Sequence, residues 1–485
     1  METPRLPPST RAFQKFTKDT RRMLIGKGRA QADVTSKRFT PGPINALPPE
    51  ILGEIFLASL GKIFPVHDDD SIPPLQFCRV CTYWQQTALS TPGLWTRLLI
   101  NRSDVTQEIN VMSKRFSSAG KLPLSLRIEN GPHPSSFPLF RVPLQYMGRI
   151  HNLEFSVLRI EEAVRQLNII VDHGTALERL VVQYNQSTSW SNAPSLLPLP
   201  RLHKLKRLVL SNLQSDRHSY DGSLDNMPWN QLTHLSMVDV PIMPLMLMAF
   251  LRRCPHLQHG FFALSNLLHP TNQWTTLLHG DTVFPSMISL KVVFKYAGEW
   301  GILDGLSFPS LKTLCLGSTS ELSTWNSTTS ATLHTPLLRN LILFKIRIQY
   351  PDLIEFLKTK ASLRVLVLDS PLEFSPLFEK LSHIGENIFL PNLIRLSIYH
   401  WRLRKNRPCK IDVRALGQMI HARWYPRSTK PRPVRSPLSS VSLRMSSVPP
   451  YLIGIKLRSS LVAQGLFLHI GSAENGYSLK KEVDW

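Results

Sequence analysis

Leu338-Arg339-Asn340-Leu341-Ile342-Leu343 and, 25 residues on, Leu363-Arg364-Val365-Leu366-Val367-Leu368 are two copies of one pattern, L-x-x-L-x-L. Further copies lie at Ile150/Leu153/Phe155, Leu177/Leu180/Val182, Leu205/Leu208/Leu210, Leu232/Leu235/Met237, Leu257/Gly260/Phe262, Met287/Leu290/Val292, Leu311/Leu314/Leu316, Leu393/Leu396/Ile398 and Leu438/Val441/Leu443. The first ten copies start between Ile150 and Leu393, with a mean step of 27 residues. Helical patterns fall between them. Ile160, Val164, Leu167 and Val171 form one, and Leu353, Phe356 and Leu357 behind Pro351 form another. Pro255, Pro285, Pro309, Pro336 and Pro391 each stand two residues before an anchor, where a proline stops a helix from running into the strand.

A step of 27 lies within the 20- to 29-residue period of leucine-rich repeats, and the array resembles them. That resemblance implies an α/β solenoid, a horseshoe with the strands on its inner wall, because one such repeat cannot bury its apolar face alone. Strand alternation then exposes the residue two beyond each anchor. These are Asn152, Arg179, Arg207, His234, His259, Ser289, Thr313, Asn340, Val365, Arg395 and Ser440, and six beyond the last anchors stand Tyr399 and Arg444. Arg179, Arg207, His234, Arg395, Tyr399 and Arg444 are the expected surface for an unknown protein target, since Arg and His suit carboxylate and phosphate. Ordinary solvated strand residues are the competing reading of the same positions.

Before the repeats, composition changes at Ile44. Pro48 and Pro49 suit a helix start, and Ile51, Leu52, Ile55, Phe56 and Leu60 then form one wide apolar stripe. An acidic loop, His67-Asp68-Asp69-Asp70, precedes a second helical stretch, Pro74 to Leu89, which Ser90-Thr91-Pro92-Gly93 stops before Leu94 and Trp95. Three pieces of this segment, Leu47-Pro48-Pro49-Glu50-Ile51-Leu52, Val80-Cys81-Thr82-Tyr83-Trp84 and Ser90-Thr91-Pro92-Gly93-Leu94-Trp95, resemble in order the F-box-like domain of mushroom-forming fungi. The irregular repeats, mostly without the usual asparagine after the strand, are similar to those that accompany such domains. The resemblance implies a small N-terminal helical module that docks on the Skp-type adaptor of a cullin-RING ubiquitin ligase. Carried over to this chain, Leu47, Pro48, Ile51, Ile55, Val80 and Trp84 become the expected adaptor contacts. A small module must also bury most of its large apolar residues internally, and the same side chains suit that role.

Charge follows a different map. The 57 Lys+Arg exceed the 34 Asp+Glu by 23, yet residues 1–42 and 401–444 carry +18 of that excess and leave +5 to the other 399. The basic tail and the stretch from Trp401 to Arg435, which mixes cations with Trp424 and Tyr425, admit nucleic acid, anionic lipid or acidic protein as partners. Val413, Leu416 and Ile420 at helical spacing favour an inserted helix with a solvated basic loop, so nucleic acid is not the preferred partner.

Five cysteines in 485 residues argue against a disulfide framework. Cys78-x-x-Cys81 has neither a second cysteine pair nor a following βαβ pattern, and both residues read as small buried hydrophobes. No 7- to 15-residue apolar stretch marks a secretory signal in the first 40 residues, and Glu2, Asp19 and the early prolines count against a mitochondrial one. The longest apolar run, Ile242 to Leu251, is too short to span a membrane. An intracellular, cytoplasmic or nuclear protein without membrane attachment is expected.

Catalytic patterns are missing: there is no G-x-S-x-G, and no Gly-Lys pair is followed by Ser or Thr. Cys254-Pro255-His256-Leu257-Gln258-His259 has no carboxylate or further cysteine close in sequence, so no metal or cofactor is assigned. The expected organisation is a basic tail over 1–42, an F-box-like module over 43–100, a connector and cap over 101–148, repeats over 149–400, a basic insertion over 401–435 and final repeats with a cap over 436–485. The expected function is a non-catalytic substrate-recognition adaptor of a Skp/cullin/F-box type ubiquitin ligase. A ligase-independent scaffold or nucleic-acid-associated protein is the alternative.

Overall fold

A computed structural model of the chain describes residues 43–60, 74–101, 105–129, 144–157, 160–173, 176–184, 198–211, 227–264, 282–295, 298, 300–319, 322–370, 372–383, 388–400, 412–423, 438–445 and 466–472. The tail over 1–42, the acidic loop at 67–70, most of the basic stretch over 401–435 and the expected final helix at 451–460 lie outside them. The chain divides into two compact units, 1–54 and 55–485.

In the first unit a short 3₁₀ turn, Pro43–Ala46, leads into the start of the helix Pro49–Leu60. The two prolines stand where a helix lacks internal N–H partners, and the Pro48 carbonyl accepts the Leu52 N–H at 3.0 Å. Leu52 is buried, while Ile44 and Ile51 are exposed.

The second unit opens with an aromatic cluster. The Phe56 ring stacks on Phe77 at 4.3 Å and meets Trp84 at 5.0 Å, and Trp95 Nε1 donates to the Ala88 carbonyl at 2.9 Å. The expected single helix from Pro74 to Leu89 is two, Leu75–Cys78 and Thr82–Leu89, broken where Cys81 turns extended (φ −161°, ψ 172°). Periodicity missed the break because Phe77 and Trp84, seven residues apart, resume the stripe in phase.

Among the described residues fourteen parallel strands follow in one sheet, and their order in space is their order in the chain. They are β1 (Arg97–Asn101), β2 (Leu124–Glu129), β3 (Ile150–Val157), β4 (Arg179–Tyr184), β5 (Arg207–Ser211), β6 (His234–Ile242), β7 (His259–Leu264), β9 (Ser289–Phe294), β11 (Thr313–Ser318), β13 (Asn340–Phe344), β15 (Val365–Asp369), β16 (Arg395–His400), β17 (Ser440–Met445) and β18 (Phe467–Ser472). Between them, two short parallel pairs form beside the sheet, β8 (Thr282–Val283) with β10 (Leu306–Ser307) and β12 (Ser323–Thr324) with β14 (Ile346–Arg347). Parallel neighbours require a crossover each time, and helices such as Ile160–Asp172, Pro244–Arg253, Tyr350–Lys358 and Ser375–Ser382 supply several of them. The fold is therefore mixed α/β around a long parallel sheet, and no described helix is long and apolar enough to cross a membrane.

The core lies along one face of the sheet. Leu153, Leu180, Leu208, Leu290, Leu314, Leu341, Leu366 and Leu396 stack in register there, each fully buried. The helix Val413–Arg423 adds Leu416, Met419 and Ile420 to the buried residues, and with them Arg423. This cation, counted in the sequence with the basic insertion, donates through Nε to the Leu381 carbonyl at 2.8 Å. Nη1 donates to Leu390 at 2.9 Å, and Nη2 to Phe389. It holds together carbonyls from two other segments and is not available to a phosphate.

Arg423→Ala should strand those carbonyls in the interior, at about 1–3 kcal/mol for each unsatisfied group, and shift the urea unfolding midpoint downward. Arg423→Lys, which lacks the planar fork, should recover only part of the loss. An unshifted midpoint for the alanine variant would remove Arg423 from the packing of this region.

Candidate functional site

Alternation sends the residues two, four and six beyond each anchor to the face opposite the leucines. Backbone pairing places the first of these sets in a single register row: Arg97, Ser125, Asn152, Arg179, Arg207, His234, His259, Ser289, Thr313, Asn340, Val365, Arg395, Ser440 and Phe467. Three zones divide this face.

The first zone is cationic and runs over β2 to β7. Glu154 stands between two arginines, 3.4 Å from Arg127 Nε on the strand before it and 3.8 Å from Arg179 Nη1 on the strand after it. Arg207 lies directly beside Arg179 in the row. The Glu154 carboxylate thus pairs with two of these three guanidinium groups. Burial holds Arg179 below the usual arginine range, Glu154 opposes that shift, and Arg207 and Arg127 add to it. Next in the row, the His234 and His259 rings stack at 4.3 Å with planes 19° apart, and Thr233 Oγ1 lies 2.9 Å from His234 Nδ1. Burial pushes the His234 imidazole down to about 4, helped by His259 and then Arg207, and His259 is lowered by burial and Arg207.

The second zone is apolar. Phe261, Val293, Cys315, Ile342, Phe344 and Val367 form one buried cluster, with Val238, Val365 and Tyr399 packed against it. Lys291 is buried among them with its Nζ 4.6 Å from the centre of the Phe261 ring. A side chain at Gly317 would collide with the Phe344 ring, so this glycine makes room for the aromatic on the next strand. Sequence reasoning missed the zone by counting only two and six beyond the anchors. Counting four beyond gives Phe261, Cys315, Ile342 and Val367, and their apolar character was the available signal.

The third zone holds Arg395, Tyr399 and Arg444 on β16 and β17, with the Arg444 guanidinium 5.4 Å from the centre of the Tyr399 ring. The six residues expected to form one target surface therefore fall into two groups. Arg179, Arg207 and His234 are adjacent. Six strand steps, roughly 29 Å, separate His234 from Arg395.

Of the expected adaptor contacts in the first unit, Pro48 and Ile51 are exposed and Leu47 is half-buried. In the second unit Ile55 and Val80 are exposed, at 43% and 56%, while Trp84 is half-buried against Phe56. Cys78, Cys81, Cys254 and Cys315 are free thiols. Burial pushes Cys254 up to about 12 and Cys78 to about 11, which keeps both neutral. Among the described residues no three His, Cys, Asp or Glu gather as a metal site would need. The best-formed arrangement on the second face is the group of three guanidiniums around Glu154, ordered by strand register. No protein-family model matches the chain, and no curated protein matches it.

The histidine pair makes an acid response testable. The folded state resists protonation that the unfolded chain accepts near pH 6.5, so stability should fall as pH drops from about 6.5 towards 4. His234→Gln should flatten the dependence of the thermal midpoint on pH across that window. An equal slope in wild type and variant would exclude the pair as its origin.

Proposed function

We propose that this chain is the substrate-recognition adaptor of a Skp/cullin/F-box type ubiquitin ligase, with a helical F-box-like module at its N-terminal end and a leucine-rich-repeat-like solenoid that binds the target. The observation that carries the reading is the single register row, in which Arg179, Arg207 and His234 stand side by side on a repeat-built sheet. Such a row suits a linear acidic or phosphorylated segment, because neighbouring guanidinium groups about 4.8 Å apart can each take a carboxylate or phosphate oxygen. The Leu-Pro start of the first helix, with Pro48 and Ile51 exposed and Ile55 and Val80 exposed in the second unit, supports a protein contact in the N-terminal segment. Its mechanism is proximity. Holding target and ligase together raises the effective concentration of target lysines at the conjugating enzyme, and this chain makes and breaks no bonds. Burial of Arg423 and the apolar second zone weigh against a continuous phosphate-binding track.

Wild type should retain a Skp-type adaptor in a pull-down, and the Leu47→Ala/Pro48→Ala variant should lose it. Retention by both, or by neither, would count against ligase recruitment. Arg179→Glu with Arg207→Glu should abolish target capture while leaving adaptor binding intact, read by quantitative co-purification of both partners.

A further inference from the structure

The residue one beyond each anchor marks the entry of its strand. Its carbonyl accepts two successive N–H groups of the next strand, as Lys312 O accepts from Arg339 and Asn340, and Arg339 O from Arg364 and Val365. This forked bonding fixes Lys312, Arg339 and Arg364 on three adjacent strands, each one residue before the paired Thr313, Asn340 and Val365. Neighbouring rungs are about 4.8 Å apart. All three side chains are exposed, and among the described residues none has a hydrogen bond or an ion pair.

Elsewhere in the second unit, cations meet acids. Lys206 pairs with Glu178 at 3.5 Å, Arg201 with Asp172 at 2.9 Å, and Lys358 with Glu355 at 2.6 Å. The three-rung ladder has no such partner, and like charges directly opposite on adjacent strands destabilise a sheet. A sequence that keeps three of them in register holds a local cost that an anionic ligand would relieve.

We infer that Lys312, Arg339 and Arg364 form a docking strip for an extended acidic peptide segment of a partner protein. The strip is about 10 Å long, the reach of a few residues of extended chain. Arg339 and Arg364 each offer the planar fork that matches a carboxylate. Leu337, two residues before Arg339, is exposed and gives an apolar side chain of a peptide a place to rest. Single-stranded nucleic acid needs aromatic platforms for its bases, whereas no aromatic residue stands within three positions of Lys312, Arg339 or Arg364 in sequence. This strip lies at the strand entries, apart from the Arg179–Arg207 row, and it stands whether or not the chain recruits a ligase.

The test uses the full chain and a fluorescent dodecapeptide alternating glutamate and serine, read by anisotropy at fixed salt. Arg339→Glu puts a carboxylate between Lys312 and Arg364. It should weaken peptide binding about tenfold, since a reversed charge at a rim contact replaces attraction with repulsion, and it should raise the thermal midpoint, because two repulsive cross-strand neighbours become attractive. Lys18→Glu makes the same change in net charge in the basic segment over 1–42 and should leave the affinity within about twofold. Equal losses in the two variants would reduce the effect to net charge and overturn the inference. So would an unchanged affinity in Arg339→Glu, or a lowered thermal midpoint in that variant. Tighter binding of a single-stranded oligothymidine, lost in Arg339→Glu, would reassign the strip to nucleic acid.

Discussion

The sheet of the second unit depends on parallel pairing in register, with shifts only in the β2–β3 and β6–β7 pairs. A parallel sheet whose strands follow chain order gains one strand per crossover, and each of its strands from β3 to β17 is aligned by an apolar anchor dropping into the core. The alignment is over-determined. Leu341 stands beside Leu314 and Leu366, all three fully buried, and a slip of one residue would bring their chains to the wrong face. Burying a leucine is worth about 1.5–3 kcal/mol, so a slipped strand would lose several such contributions at once. Register is therefore held mainly from the leucine side, and outside the apolar second zone the opposite face inherits its order.

That inheritance explains how a cationic row can exist. Arg179 and Arg207 are neighbours that electrostatics alone would separate, and Glu154 offsets only part of the repulsion. They stay side by side because Leu180 and Leu208, the residues next to them, are locked in the core. The same holds for the stacked His234 and His259, whose neutral forms are favoured by burial among cations. Positions that cannot choose their own place are suited to function, since their geometry survives changes in side chain.

The repeat was legible from the sequence because its signal is apolar spacing, the property that register depends on. The ten pairings along the eleven-residue row from Asn152 to Ser440 follow from the position of each anchor alone. Three things were not legible. The break at Cys81 left the stripe in phase, so periodicity had nothing to detect. The buried role of Arg423 depends on carbonyls from Leu381, Phe389 and Leu390, over 30 residues away in sequence. The division of the second face into zones needed the set four beyond each anchor, where Phe261, Cys315, Ile342 and Val367 interrupt a surface that the set two beyond presents as polar. In each case a local pattern was read correctly and its neighbour across the sheet or along the fold was missing.

Net charge misleads here for the same reason. Outside two basic stretches the chain carries only +5, which suggests that the fold itself is electrostatically bland. Register changes that conclusion. Glu154, Glu178 and Asp172 each pair with a cation, while Lys312, Arg339 and Arg364 line up on consecutive strands with no ion pair among the described residues. Three charges at about 4.8 Å spacing produce a local potential that summation over 399 residues averages away. In a sheet where chain order is space order, residues 25 and 27 apart in sequence become nearest neighbours, and the period of the repeat sets which charges add.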